Sequence, residues 1–185
     1  MSFHTRKTMI AGNWKLNKTI REAIEFVTLL KRQIGDLQNI EVVVCPPYTA
    51  LSDVAEVLTE SEIGLGAKYL YWEEKGAFTG EVSGSMIKEA GAGFVIVGHS
   101  ERRALFGDTD EVVAQKVRSA LLAGLVPILC VGETLAEREA DQTETVIARQ
   151  LDAVLALNTV HDLQPLVIAY EPVWAIGTGK TASPE

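Results

Sequence analysis

The chain has 185 residues, 47% of them hydrophobic and 23% charged, which suits one soluble globular domain with a real core. Its 17 Lys and Arg residues against 25 Asp and Glu residues give a net charge of −8. This balance excludes a chain-wide basic surface for nucleic acid or anionic membranes, while small anions can still bind locally.

Neither a targeting segment nor a membrane span is predicted. Residues 1–15 lack an apolar core long enough for a signal peptide, and the longest uncharged stretch, 119–132, is too short to span a bilayer. Cys45 and Cys130 each end an apolar run without metal-ligand spacing around them. We expect buried free thiols in a reducing compartment, which favours a cytoplasmic protein.

The first half of the chain reads as strands alternating with helices. Strands are predicted at 7–13, 40–45 and 62–67, and helices at 20–34 and 51–58. The first helix has apolar side chains at spacings of three and four, which is typical of one buried stripe, and Gly35 ends it.

A long loop is predicted at 68–83, where KYLYWEEKGAFTGEVS shows no clear periodicity. Its aromatic residues Tyr69, Tyr71, Trp72 and Phe78 are unusual for a loop on a monomer's surface. The loop either folds onto its own core or forms a subunit interface. Its additional charged residues favour the interface.

The second half continues the alternation. A brief helix at 85–90 is followed by strands at 93–98, 126–131 and 166–170, with helices predicted after Thr109 and through Val146. The continuous apolar run 166–170 is typical of a strand buried on both faces of a parallel sheet.

Six strands alternating with five helical crossovers predict an α/β fold built from βαβ units. An open doubly wound sheet and a (β/α) barrel both fit this alternation. Polar residues decide between them, because they follow the ends of strands at both extremes of the chain. Only a barrel brings those ends to one mouth. The residues concerned are Asn13, Lys15, Lys68, His99, Glu101, Glu133 and Glu171.

The stretch after the sixth strand has the composition of a base beneath a mobile lid. Glu171 ends the strand beside Pro172, and a glycine-rich segment, AIGTGK at 175–180, follows. The alternative is a carboxylate that caps a helix, followed by an ordinary flexible loop.

Three residues at the predicted mouth suit proton abstraction next to a carbonyl. Glu171 is the candidate base, His99 at the start of a helical turn is a candidate neutral donor to an oxyanion, and Lys15 supplies positive charge. Glu101 is close enough in sequence to His99 to pair with Lys15. Taken singly, each of these residues is more often an ordinary charged or satisfied side chain.

Four strings carry a resemblance to a known family: AGNWKLN at 11–17, YWEEKGAFTGEVS at 71–83, VGHSERR at 97–103 and AYEPVWAIGTGK at 169–180. In order and spacing they closely resemble triosephosphate isomerase over essentially the whole chain. The resemblance implies an α/β fold of the (β/α)8 TIM-barrel type, present as one partial barrel domain over 1–185.

The resemblance also implies roles for particular residues. Glu171 is the base, His99 the electrophile, Lys15 the essential cation and Asn13 a substrate-positioning residue, with Glu101 as the acid beside the lysine. Further residues assist: Ser100 holds the resting base, Gly177 binds the substrate phosphate from the lid, Trp174 at the lid hinge pairs with Glu133 when the lid is open, and Thr79 is the tip of the interface loop.

The implied reaction interconverts dihydroxyacetone phosphate and glyceraldehyde 3-phosphate, a step of glycolysis and gluconeogenesis, with no metal or cofactor. The implied assembly is a homodimer or other homo-oligomer, in which Thr79 of one chain inserts beside Asn13 and Lys15 of the next. Neither a nucleic acid nor a membrane is an expected partner.

Two departures from the family pattern carry expectations of their own. By comparison with the family, helix six and the last two βα units are expected to be absent, so the alternative function is a truncated or split barrel that acts as an assembly module, completed by another chain. In addition, Lys68 and Tyr69 stand where the family usually has Gln and Asn.

Overall fold

The structure is a computed structural model that describes residues 7–35, 37, 39–179 and 181–182. Lys180, the last residue of the glycine-rich string, lies outside the described residues, and so does Ser183-Pro184, where the sequence predicts the start of a helix.

Within the described residues, six strands alternate with seven α-helices through five crossovers. The last two crossovers each contain two helices. The order is β1 (Thr8–Asn13), α1 (Ile20–Ile34), β2 (Ile40–Cys45), α2 (Leu51–Val57), β3 (Gly64–Ala67), α3 (Gly84–Glu89), β4 (Phe94–Val97), α4 (Ser100–Phe106), α5 (Asp110–Leu122), β5 (Val126–Val131), α6 (Leu135–Glu139), α7 (Thr143–Leu157) and β6 (Val167–Tyr170). Short 3-10 turns lie at Tyr48–Ala50 and Val173–Ala175.

Threonine side chains cap the N-termini of three helices. Thr19 starts α1 and Thr134 starts α6 with full capping boxes, in which the threonine and the glutamate three residues later satisfy each other's backbone N–H groups. Thr109 caps α5 by accepting from the N–H of Val112. Each of these caps joins residues only three positions apart, so the sequence alone is enough to recognise it.

The six strands form one parallel sheet in sequential order, from β1 to β6. A doubly wound sheet reverses its strand order at a switch point, and this sheet has no such reversal. The registers align the carboxyl ends, for example Asn13 with Cys45 and Val131 with Tyr170. The polar residues that follow the strands therefore lie on the same end of the curled sheet.

Buried side chains lie on both sides of the sheet. The larger cluster packs the helices against the strands and includes Val27, Leu70 and Leu129. The smaller cluster contains Cys45 and Cys130, which are both buried free thiols. Burial raises the pKa of the Cys45 thiol to about 12, and burial together with the Glu171 carboxylate raises the pKa of Cys130 as well.

The structure corrects the prediction for the sixth strand. Every second residue of β6 is exposed, and Ile168 and Tyr170 keep roughly half of their surface open. Residues 167–170 do form an apolar strand, but β6 is the last strand of the sheet and pairs only with β5 among the described residues. Burial on both faces is therefore wrong for this strand.

The remaining differences concern element ends. β3 begins at Gly64 rather than at residue 62, because its pairing with β2 begins at Val43 and Gly64. In addition, α6 lies at Leu135–Glu139, where no helix is predicted from the sequence. In the described part of the chain, no helix combines the length and apolarity needed to cross a membrane.

Candidate active site

Four strand ends bring the candidate side chains to one end of the sheet. Asn13 is the last residue of β1, and His99 follows β4 by two residues. Glu133 follows β5 by two residues, and Glu171 comes directly after β6. Lys15 joins them from the segment after β1.

The Lys15 backbone is held in an unusual conformation. Its φ angle is 52°, in the left-handed region that non-glycine residues seldom adopt, and its N–H donates to Asn13 Oδ1 at 2.9 Å. Its ammonium Nζ lies 2.7 Å from Glu101 Oε1. Asn13 thus fixes the backbone while Glu101 fixes the cation, so the charge of Lys15 has a defined position.

His99 is the N-cap residue of α4, and both of its ring nitrogens have partners. Nδ1 accepts from the backbone N–H of Glu101 at 3.2 Å. Nε2 lies 3.1 Å from Glu171 Oε1. A nitrogen that accepts carries no hydrogen, so this network assigns the proton to Nε2, which points at the base.

The Glu171 carboxylate is held at both oxygens. His99 contacts Oε1, and the backbone N–H of Ser100 donates to Oε2 at 2.9 Å. The backbone of Glu171 continues the sheet, since its N–H donates to Val131 O at 2.7 Å. In this arrangement the carboxylate is turned toward α4 and is largely covered.

The segment predicted to be a lid is anchored through Glu133, whose side chain is fully buried. Trp174 Nε1 donates to Glu133 Oε1 at 3.0 Å, and the Tyr170 hydroxyl lies 3.0 Å from both carboxylate oxygens. Arg138 adds a contact at 3.3 Å and stacks its guanidinium on the Trp174 ring. Burial raises the pKa of Glu133, but its hydrogen bonds outweigh that effect and hold the pKa below its usual value.

Beyond this anchor the lid is open to solvent. Residues 176–179 are exposed, and Gly177 and Gly179 have positive φ angles of 69° and 76°. The Thr178 hydroxyl donates to Trp174 O at 2.9 Å, which closes the turn on its hinge. The Gly177 amide therefore belongs to a short exposed turn whose root is Trp174.

A cleft of about 560 Å³ lies beside Asn13, Lys15, His99 and Glu101. Its rim carries three apolar side chains that are unusually exposed: Leu16 at 95%, Leu105 at 73% and Phe106 at 65%. The loop at 68–83 forms no helix or strand, and its tip at Thr79 is exposed and does not line this cleft. Tyr71 packs against Trp72 and Phe78 within the same loop.

Lys68 and Tyr69, which are expected to depart from the family pattern, contact the site and its surroundings. Lys68 Nζ donates to Lys15 O, and desolvation lowers the pKa of Lys68. The Tyr69 ring lies under the Arg102 guanidinium at 4.2 Å, and its carbonyl accepts from the Tyr48 hydroxyl. Lys68 and Tyr69 therefore both line the cleft.

Some residues around the site were missed by the sequence reasoning. Gln150 on α7 is buried, and its amide pairs with both backbone groups of Gly132. Arg103 reaches Gly98 O at 2.8 Å and Asp110 at 2.6 Å. The sequence contains a signal that could have indicated Gln150: it stands between Val146 and Val154, at four-residue spacing, on a helix stripe that is otherwise apolar.

Comparisons with known proteins agree in what they find. The chain matches the family model described as triosephosphate isomerase over residues 8–185. It is 53% identical to triosephosphate isomerase of Endomicrobium trichonymphae, over 97% of this chain and 72% of the relative. It is 54% identical to that of Pelobacter propionicus, over 96% of this chain and 71% of the relative. The crystal structure of triosephosphate isomerase from Bartonella henselae aligns with a TM-score of 0.85 at 40% identity, covering 92% of this chain and 69% of that one.

The sequential parallel sheet and these relatives define an isomerase of the (β/α)-barrel class. Within that class, the chain belongs to the triosephosphate isomerase family. The predicted family and the incomplete (β/α)8 fold are confirmed. These comparisons give no support to the alternative of a non-catalytic assembly module.

Proposed function

We propose that this chain interconverts dihydroxyacetone phosphate and glyceraldehyde 3-phosphate by proton transfer through an enediolate. The observation that carries the proposal is the contact between a carboxylate and an imidazole N–H, Glu171 and His99, beside the fixed ammonium of Lys15. These are the three groups that the reaction needs: a base, a donor to the carbonyl oxygen and a positive charge.

Each group has one part in the proposed reaction. Glu171 removes a proton from the carbon next to the substrate carbonyl and returns it to the neighbouring carbon. His99 Nε2–H and Lys15 stabilise the negative charge that develops on oxygen, and His99 Nε2 gives its proton to that oxygen and takes the hydroxyl proton of the neighbouring oxygen in return. Before this, Glu171 must leave the Ser100 N–H and turn toward the substrate, and closure of the lid at Gly177 would accompany that movement.

The supporting residues act through these groups in the same proposal. Asn13 and Glu101 keep Lys15 in position, as their contacts indicate. Glu133 and Trp174 hold the open lid, and their hydrogen bond breaks when the lid closes. No metal or cofactor is needed, because the proton is the only group transferred between the carbons.

A coupled isomerase assay in both directions tests the function. We expect Glu171→Gln to lower kcat by about a hundredfold or more, because a general base contributes about 10² to 10⁴. The matched control is Glu139→Gln, which makes the same chemical change at an exposed end of α6. Turnover that is absent from the wild-type chain, or equal in wild type and Glu171→Gln, would refute the proposal.

We propose further that the chain forms a homo-oligomer through the cleft and the loop at 68–83. The exposed rim residues Leu16, Leu105 and Phe106 offer apolar surface, and the loop of a second copy carries Phe78 and Thr79 at an exposed tip. Light scattering should report an assembly larger than one chain, and Phe106→Ser should reduce it. The control Leu122→Ser changes another exposed apolar residue, which does not line the cleft.

A barrel fragment is the second proposed partner, and its site differs from the cleft. Leu155, Val160 and Ile168 line an apolar groove of about 450 Å³ along α7 and β6. The match covers 72% of a relative, and we propose that a polypeptide with the remaining sequence covers this groove. Adding the corresponding segment of a relative should raise turnover.

The two buried thiols support a reducing compartment such as the cytoplasm.

A further inference from the structure

We propose that Gln150 is a positioning residue for both the catalytic base and the lid, acting through the backbone of Gly132. The catalytic part of this inference rests on the proposed function, whereas the positioning itself does not. Gln150 lies on α7, outside the sheet, and touches none of the candidate catalytic side chains.

The Gln150 side chain forms a two-point clamp. Gly132 N–H donates to Gln150 Oε1 at 2.9 Å, and Gln150 Nε2 donates to Gly132 O at 3.2 Å. The glutamine is 4% exposed, so water does not compete well for either hydrogen bond. Both backbone groups of one residue are therefore fixed by a single planar amide.

Gly132 stands directly against the backbone of the base. A Cβ built on Gly132 would lie 1.8 Å from the Glu171 carbonyl oxygen, which shows how closely the two backbones approach. On its other side Val131 O accepts from Glu171 N–H at 2.7 Å. A shift of the Gly132 peptide is therefore transmitted to Glu171.

The same peptide also leads into the lid anchor. Glu133 is the residue after Gly132, and its buried carboxylate accepts a hydrogen bond from Trp174 Nε1 at 3.0 Å. The carboxylate is positioned by the backbone that Gln150 holds. Gln150 thus controls two distances: that of Glu171 to His99, and that of Glu133 to Trp174.

Gln150 could instead serve only to satisfy two buried backbone groups and stabilise the fold, as buried amides commonly do. The two roles differ in what a substitution changes. A purely stabilising residue affects the amount of folded protein, whereas a positioning residue changes the geometry of the lid anchor in the protein that remains folded.

The test uses the full chain with Gln150→Met, which keeps the length of the side chain and removes both hydrogen bonds. Val154→Ala is the matched control, because it opens a cavity on the same buried stripe of α7 without touching Gly132. Two signals are followed by NMR: hydrogen exchange of the Gly132 amide and the Trp174 indole N–H resonance, assigned with Trp174→Phe.

We expect Gln150→Met to speed exchange of the Gly132 amide roughly tenfold and to shift or broaden the Trp174 indole signal, with Val154→Ala leaving both unchanged. In the assay, kcat should fall by about tenfold to a hundredfold while KM stays within about threefold. Should Gln150→Met not fold, Gln150→Glu takes its place: its carboxylate still accepts from the Gly132 N–H but does not donate to Gly132 O, so the shift of the Trp174 indole signal and the fall in kcat are then the expected results.

Equal effects of Gln150→Met and Val154→Ala on the two NMR signals would overturn the proposal, and so would an unchanged Trp174 signal in Gln150→Met. An inactive wild-type chain would refute the proposed isomerase function alone. The NMR comparison would still decide the positioning role, so the two failures are distinguishable.

Discussion

A single methyl group at Gly132 should separate the base from the sheet. The Cβ of Gly132→Ala would lie 1.8 Å from the Glu171 carbonyl oxygen and 2.7 Å from its carbonyl carbon. Real Cβ contacts are essentially never shorter than 3.0 Å, so the two backbones must move apart by at least 1.2 Å. Neither obstacle is a flexible side chain that could rotate away.

The movement has two measurable consequences. The hydrogen bond from Glu171 N–H to Val131 O, now 2.7 Å, cannot survive a shift of that size. We expect a loss of about 1–3 kcal/mol in the free energy of unfolding, the usual cost of overpacking. A base displaced by about 1 Å should also lose about a hundredfold in kcat.

Urea unfolding followed by circular dichroism and the coupled isomerase assay measure these two effects. Gly93→Ala is the control, since a Cβ there meets nothing within 4 Å and Gly93 has no left-handed φ angle. It should change stability by about 0.5 kcal/mol or less. Wild-type stability and turnover in Gly132→Ala would refute the close approach of these two backbones.

Three further predictions concern charge and capping. Lys116→Met should lower the free energy of unfolding by about 3 kcal/mol, because it leaves the buried Asp108 carboxylate without one of its two cationic partners. Thr19→Ala should cost about 1 kcal/mol through loss of the α1 cap. The folded-state pKa of Glu133 is lowered, so the stability that its carboxylate contributes should be fully present above the unfolded-state pKa of about 4.3. That stability, and the hydrogen bond from Trp174, should be lost as pH falls through the lower folded-state pKa.

Each has a matched check. Lys7→Met removes an exposed charge and should leave the urea midpoint nearly unchanged, as should Thr59→Ala, an exposed threonine that caps none of the described helices. For the acid transition, the Trp174 indole N–H resonance is followed against pH. Glu133→Gln should abolish its titration, and a titration that persists in this variant would assign the transition to another group.

The strands were predicted where local sequence decides their limits. β2 and β5 begin and end at the predicted residues, because mostly apolar runs, interrupted in β2 only by Glu41, define them. The pairing of β3 could not be read in this way, since its first residue depends on the register with β2. The exposure of Ile168 depends on what lies beside β6 in space, which a local pattern does not contain.

The positions of Glu171, His99 and Lys15 followed from one rule, that polar residues after parallel strands meet at one end of the sheet. How they touch did not follow. The contact of Glu171 with the Ser100 N–H depends on the path of the chain at the start of α4. The capping box of α6, Thr134 with Glu137, was a readable signal for a helix that was missed.

The two buried thiols offer a way to time the opening of the sheet. Cys45 ends β2 and Cys130 lies in β5, so each reports on a different part of the sheet. A thiol reagent needs both access and the thiolate, and burial denies both while these strands stay closed. Labelling rates at the two sites, resolved by mass spectrometry, would therefore separate local fraying near β1 from opening of the strands that position the base.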